Sequence, residues 1–179
     1  MPLHCFVDLV STAIKFIANR TMSKSFDLDR FDFRLLELLQ SDARTAIPVL
    51  AETVGLSPPA CYRRIRRLKK IGAIESEVAI VRPKTLGWGL SMIVLLTLER
   101  EGSRTVRDLL AELSRVPEII EIWNVTGDYD FALKMVARDM EDYGDLAERH
   151  FSSDERIRSF KTLVVIRGEK GATPLPAAG

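Results

Sequence analysis

Six of the eight residues from Arg63 to Lys70 are lysine or arginine, and none of the eight is acidic. Such a run repels itself unless an anion compensates it. The alternating Glu/Lys pattern of an ordinary solvated helix face is missing. What the run offers chemically is attraction to phosphate and, through the forked donors of arginine, hydrogen bonding to guanine edges. A second group worth weighing is Thr126-Gly127-Asp128-Tyr129-Asp130. Glycine permits close backbone approach, a carboxylate of Asp128 or Asp130 can accept from an ammonium group, and Tyr129 can form a wall. On residue types alone, the same five residues also make an ordinary hairpin turn.

The elements that must carry the basic run can be read around it. Ser57 stands where an N-cap belongs, and Pro58 and Pro59 fall in a first turn whose N–H groups have no helical partner anyway. At about 100° per residue, Cys61, Ile65 and Leu68 gather on one stripe, with Arg63, Arg66, Arg67 and Lys70 on the opposite side. Arg64 sits at the edge of the stripe, where it can pair with an acid. Upstream, residues 27–40 read as an amphipathic helix capped by Asp27, with Leu28, Phe31, Leu35 and Leu38 or Leu39 inward. Residues 47–54 read as a short helix starting at Thr45 or Ala46, with Pro48 in its first turn and Gly55 as its left-handed end.

Helix, short helix, tight turn and basic helix is the order of a helix-turn-helix. A plain three-helix bundle has the same outline, but the acid-free side of the third helix counts against it. Residues 73–81 alternate loosely and are rich in β-branched side chains, which predicts a short hairpin or wing. Residues 82–87, punctuated by Pro83 and Gly87, then read as a linker.

Beyond the linker the periods change. Leu90 to Leu98 is a nearly continuous apolar run suited to a central strand, and Val106, Leu109, Leu110, Leu113 and Val116 repeat at helical spacing before Pro117. Strands are expected over 119–126, 131–136 and 159–166, with a helix through Tyr143, Leu146, Ala147, His150 and Phe151. The resulting βαββαβ order is the ferredoxin-like arrangement. The two helices of such a sheet cover one face only. The other face carries Ile, Val, Trp and Leu, which predicts a homo-oligomer with a dimer as its minimum. The fold class is therefore α+β. Residues 25–83 form a winged helix-turn-helix, 84–89 a linker, and 90–170 the ferredoxin-like domain.

Charge divides along the same line. Residues 26–83 hold ten basic and eight acidic side chains, whereas residues 90–170 hold twelve basic and sixteen acidic ones. The front of the chain attracts a polyanion and the back repels one. Two histidines, His4 and His150, and two cysteines, Cys5 and Cys61, have no metal-ligand spacing, so no zinc site is expected. Cys61 belongs to the packed stripe, and isolated thiols fit a reducing compartment. There is no phosphate-binding Walker loop, dinucleotide fingerprint or serine elbow, so neither a cofactor nor catalysis is expected. Residues 1–24 read as an extension. They are moderately apolar but are neither a signal peptide nor long enough to span a bilayer. Met22-Ser23-Lys24 looks like a natural start, and an amphipathic arm is the rival reading of what precedes it. Residues 171–179 read as a disordered tail.

Taken in order, Leu28-Asp29-Arg30 with Asp32, then Val54-Gly55-Leu56-Ser57-Pro58 running into Cys61 and residues 63–68, then Gly127-Asp128-Tyr129-Asp130, resemble the Lrp/AsnC family of bacterial and archaeal transcription regulators. The resemblance covers residues 28–165. It implies a cytoplasmic regulator with no membrane partner, which binds double-stranded DNA through the first domain. The second domain then dimerises, builds larger assemblies up to octamers, and binds a small effector, usually an amino acid. By position, Ser57, Pro59, Ala60, Arg63, Arg64, Arg66 and Arg67 fall on the family's recognition helix, with Lys70 on the same basic side. Residues 126–130 fall on its effector loop. Thr162 is a further effector candidate that can equally be a structural strand residue. Pro59 and Ala60 depart from residues common in relatives, so no operator sequence carries over. The same family plan includes sirohaem decarboxylases, which need a histidine-bearing porphyrin cleft, and an amino-acid sensor without DNA binding is the other alternative.

Overall fold

The computed structural model describes residues 26–99, 103–171 and 174–176, and the N-terminal extension with its start-site reading lies outside the described residues. The described residues form two compact units, one on residues 26–80 with 169–171 and 174–176, and the other on residues 81–99 with 103–168.

In the first unit, helices α1 (Arg30–Ser41), α2 (Ile47–Val54) and α3 (Pro58–Ile71) close over Leu35, Leu50, Ala51, Cys61, Ile65 and Leu68. The predicted stripe of α3 is thus its buried face. Helix α1 begins two residues later than a cap at Asp27 would place it. Asp29 Oδ1 accepts from the N–H groups of Phe31 and Asp32, while Asp32 Oδ2 accepts from the Asp29 N–H. This reciprocal box needs an acceptor side chain three residues past the cap. Asp29 has one in Asp32, whereas Asp27 meets Arg30 at that place. Ala46 rather than Thr45 heads α2, because the Thr45 hydroxyl is used on the Asp42 carbonyl. Gly55, at φ 76°, ends α2 and gives the turn into α3. Ser57 occupies the cap position of α3, but its side chain makes no capping hydrogen bond.

One polar group is sealed inside this unit. Asp32 is 1 % exposed, and its carboxylate is shared between Arg64 Nη1 and Arg67 Nη1, each at 2.9 Å. Arg64 also reaches Asp29 at 2.8 Å, and Arg67 Nη2 donates to the Asp27 carbonyl at 2.5 Å. The clamp ties the start of α1 to one flank of α3.

No hairpin forms over residues 73–81. Past bends at Ala73 and Ile74 the segment forms no strand and is exposed. It contains no Gly, Asn, Asp or Pro to turn the chain back on itself, so its alternation describes one strand's worth of residues and not two. Within the tail expected to be disordered, Leu175 exchanges hydrogen bonds with the Gln40 side-chain amide.

The second unit opens with a 3₁₀ turn (Pro83–Leu86) and runs β1 (Leu90–Leu98), α4 (Ser103–Leu113), β2 (Ile119–Asn124), β3 (Phe131–Ala137), α5 (Met140–Ala147) and β4 (Ile157–Val164). The sheet is antiparallel throughout, in the order β2-β3-β1-β4, which is the expected ferredoxin-like topology. Helix α5 continues into a π-turn (Glu148–Ser152) that buries Phe151 against Phe160. Alternation along the strands sends Met92, Val94, Leu96, Phe131, Leu133 and Met135 under the helices, with Leu109, Leu113, Tyr143 and Leu146 above them. The opposite face carries Ile93, Leu95, Trp123 and Leu163, crossed by a Lys134–Glu121 ion pair.

Arg156 binds Asp154 and Glu112 together, joining the start of β4 to α4. Arg138 pairs with Asp142 across the start of α5. These arginines hold the carboxyls of Asp154, Glu112 and Asp142 below the usual range.

Two outcomes follow from these contacts. Asp32→Ala removes the acceptor from two arginines that remain partly exposed and can rehydrate, so it should cost about 2 kcal/mol of the first unit's stability in urea unfolding followed by circular dichroism. A loss within error of zero would mean the clamp holds nothing. For the second unit, carboxyls with depressed folded-state pKa values contribute stability above their unfolded value of about 4 and lose it as pH falls through the folded values. The thermal midpoint should therefore fall below about pH 4, and Arg156→Ala should flatten that dependence.

Candidate nucleic-acid interface and effector loop

The charges on α3 separate into two sets. Arg64 and Arg67 belong to the clamp, and Lys69 pairs with Glu77 at 2.8 Å. Arg67 is thus not the free outward cation its helical angle predicts, while the expected pairing of Arg64 with an acid is present. Arg64 has its guanidinium pKa raised further by Asp32 and then Asp29, and Asp29 is held low by the Asp32 N–H and by Arg64. Arg63, Arg66 and Lys70 are exposed and carry no ion pair among the described residues. The free positive charge of α3 is therefore three side chains wide, on the ridge directly opposite Cys61, Ile65 and Leu68.

Ser57 and Pro59 are exposed at the N-terminal end of that ridge, and Ala60 is half-buried. A cleft of about 530 Å³ runs beside it, with Asp27, Asp29 and Asp32 on one wall and Arg63, Arg64 and Arg67 on the other. Mixed charge at this density suits neither an apolar ligand nor a phosphate.

Sequence reasoning passed over two residues here. Asp32 entered only as one residue of the family resemblance and not as the centre of a clamp, yet the Asp29-x-x-Asp32 spacing and the i, i+3 spacing of Arg64 and Arg67 were the available signals. Tyr62 lies beside the ridge, 52 % exposed, with the Arg66 guanidinium 5.9 Å from its ring centroid.

The loop after β2 is more ordered than a bare turn requires. Val125 donates to the Asp130 carbonyl at 3.0 Å, and Asp130 donates to the Leu96 carbonyl at 2.8 Å. Asp130 Oδ2 accepts from the Leu98 N–H at 2.8 Å, which uses that carboxylate to pin the loop to β1. Thr97 Oγ1 donates weakly to the Asp128 carbonyl. Gly127 takes φ 121°, where a side chain would be strained, and Tyr129 is half-buried. The Asp128 carboxylate is exposed and has no hydrogen bond or ion pair among the described residues, and Thr126 is exposed beside it.

Thr162 is placed apart from this group. It pairs with Val94 in register, so it faces the helix layer, and its hydroxyl is hydrogen-bonded to Tyr143. His150, half-buried on the π-turn, has its pKa lowered by burial and then by Arg149. Among the described residues no cluster of His, Cys, Asp or Glu is arranged to hold a metal ion, and no helix is long and apolar enough to cross a membrane.

Comparison with known proteins agrees with both halves of this geometry. Residues 28–69 match the AsnC-type helix-turn-helix domain, and residues 91–175 match the Lrp/AsnC ligand binding domain. The chain is 40 % identical over 152 residues to an HTH-type transcriptional regulator of Sinorhizobium fredii, covering 85 % of this chain and 90 % of that one. It is 31 % identical to the leucine-responsive regulatory protein of Rhizobium meliloti, covering 82 % of this chain and 94 % of that one. Among solved structures it is similar to an AsnC family regulator from Agrobacterium tumefaciens (TM-score 0.77, 29 % identity, 83 % and 97 % of the two chains). It is also similar to a Neisseria meningitidis transcriptional regulator solved with L-Met (TM-score 0.78, 26 % identity, 83 % and 96 %). With a basic third helix in the first unit and an antiparallel βαββαβ sheet in the second, the chain belongs to the Lrp/AsnC family of DNA-binding transcriptional regulators.

Proposed function

We propose that this regulator grips double-stranded DNA through Arg63, Arg66 and Lys70, with Ser57 and Pro59 at the leading end of α3, and that Arg64 and Arg67 fix the helix in place. The observation that carries this reading is the division of charge on α3: three cations are paired with acids of the same unit and three stand free on one ridge. A recognition helix enters the major groove with its N-terminal residues at the base edges, and its flanking cations neutralise phosphate.

The protein works in the cytoplasm as a homodimer or a larger assembly, with no catalysis of its own. The sheet face bearing Ile93, Leu95, Trp123 and Leu163 supports self-association, since these large apolar side chains are covered by no helix and the Lys134 charge among them is neutralised by Glu121, leaving Lys161 as a further cation on the face. Twofold pairing would give near-palindromic sites with half-sites about one helical turn apart.

The effector is an amino acid held at the loop of residues 126–130. Asp128 offers the unpartnered carboxylate that an ammonium group needs, Gly127 allows close backbone approach, and Tyr129 forms a wall. The L-Met complex of the Neisseria meningitidis relative supports this ligand class. Thr162 stays a lesser candidate, because its hydroxyl already has a partner. An amino acid changes regulation only by binding one assembly better than another.

Replacing Arg63, Arg66 and Lys70 together by Ala should abolish binding at physiological salt, leave the oligomer intact, and flatten the slope of log affinity against log salt by about three per protomer, in electrophoretic mobility shifts. Retained affinity would move the contact surface elsewhere. Asp128→Ala should weaken amino-acid binding by about tenfold in calorimetry, the loss of one charged hydrogen bond, without altering DNA affinity of the ligand-free protein. An unchanged titration would return the loop to a turn.

A further inference from the structure

The exposed tyrosine of α3 has no structural employment that accounts for its position. Tyr62 follows Cys61 on the helix, but its ring is outside the core made by Cys61, Ile65 and Leu68 and is 52 % exposed. At about 100° per residue it flanks the free ridge of Pro59, Arg63, Arg66 and Lys70, on the side away from Arg64 and Arg67. The opposite flank is closed by the acids of the clamp, so the ridge is bounded by carboxylates on one side and, on the other, by the Tyr62 ring and two turns further on by the Lys69–Glu77 pair. One helical turn on, Arg66 rests its guanidinium 5.9 Å from the ring centroid, and no acid competes for it among the described residues.

A half-exposed aromatic ring on an acid-free cationic ridge is costly in water and useful against a base. Ring edges make apolar contact with the thymine methyl group, and a guanidinium fork reads O6 and N7 of guanine. Contact with the ring also narrows the positions the arginine fork explores, which lowers the entropy lost when it binds.

We propose that Tyr62 is a specificity-determining residue of the DNA interface: its ring contacts a thymine methyl group next to a guanine read by Arg66, so that the pair reads one thymine–guanine step in each half-site. This rests on the reading of α3 as the DNA-contacting helix and goes beyond it, because Arg63 and Lys70 supply affinity without choosing between bases.

The test uses the full-length protein and duplexes enriched by it from a random pool. Tyr62→Ala and Arg66→Lys are enriched in parallel, and the wild-type site is then remade with deoxyuridine for each thymine in turn, which removes only the methyl group. One thymine should be sensitive, losing about fivefold in wild-type affinity when demethylated, and Tyr62→Ala should be indifferent to that change while keeping its salt slope. Arg66→Lys should lose the preference for the neighbouring guanine. Tyr62→Phe should behave as wild type, since the ring and not the hydroxyl makes the contact. If Tyr62→Ala selects the wild-type site and keeps its sensitivity to deoxyuridine, this assignment is overturned while the DNA-binding role of α3 stands. If the wild-type protein enriches no sequence at all, both are overturned.

Discussion

A single carboxylate withheld from water decides how the helix-turn-helix presents its charge. Asp32 has room for two guanidiniums and takes both, one from each of two successive turns of α3. An unpaired buried carboxylate would be intolerable, and two unpaired arginines on this flank would add to an already self-repelling helix. Each group therefore removes the other's penalty. The geometric result is that α3 cannot roll about its axis without breaking both contacts, which fixes the direction of the ridge formed by Arg63, Arg66 and Lys70. The same two contacts subtract charge from the flank next to α1, so the positive field is confined to the ridge and is not smeared around the helix.

The second unit is organised by a different constraint, the strict two-residue alternation of its strands. Met92, Val94 and Leu96 go to the helix side and Ile93 and Leu95 to the other, and register then lines up Leu133 and Met135 with the first set and Lys134 with the second. The helix side is apolar but for Thr162, and the other side sets Ile93, Leu95, Leu163 and Trp123 among a few polar residues such as Lys161. A sheet with large apolar side chains on both faces and helices for one of them has an unmet need to bury surface, which is the physical basis for expecting self-association. The Lys134–Glu121 pair lets a charged residue sit on such a face without leaving an unbalanced charge there.

Much of this was legible in the chain because it is local. Cys61, Ile65 and Leu68 follow helical periodicity, Gly55 marks an end that only a left-handed residue can make, and the order of strands and helices follows from where the apolar period switches between two and 3.6 residues. What was not legible depends on partners distant in sequence or on a competition between equivalent groups. Asp32 meets Arg64 and Arg67 across 32 and 35 positions. Asp27 and Asp29 are equally good caps as residue types, and the choice between them is made by what lies three residues further on. The wing failed for a related reason: alternation reports that a stretch is extended, but says nothing about whether a second strand exists to receive it. Tyr62 was hidden by the charges around it, since a lone aromatic among six cations gives no periodic signal.

The loop of residues 126–130 shows how two candidates of one residue type are told apart by their contacts. Asp128 and Asp130 are two positions apart and chemically identical, yet only one keeps a carboxylate to offer. Asp130 receives the Leu98 N–H, at the end of β1, while its own N–H goes to the Leu96 carbonyl. Those contacts extend the β1–β3 pairing past Phe131 and stop the loop from swinging, so the neighbouring Asp128 is presented from a fixed base and not from a mobile turn. A ligand gripping Asp128 would thus pull on a segment bonded directly into the central strand. Because β1 pairs with β3 on one side and β4 on the other, any strain there is shared across three of the four strands, including both that contribute Ile93, Leu95 and Leu163 to the open face. The loop of residues 126–130 and the open face of the sheet are therefore joined through one strand, β1.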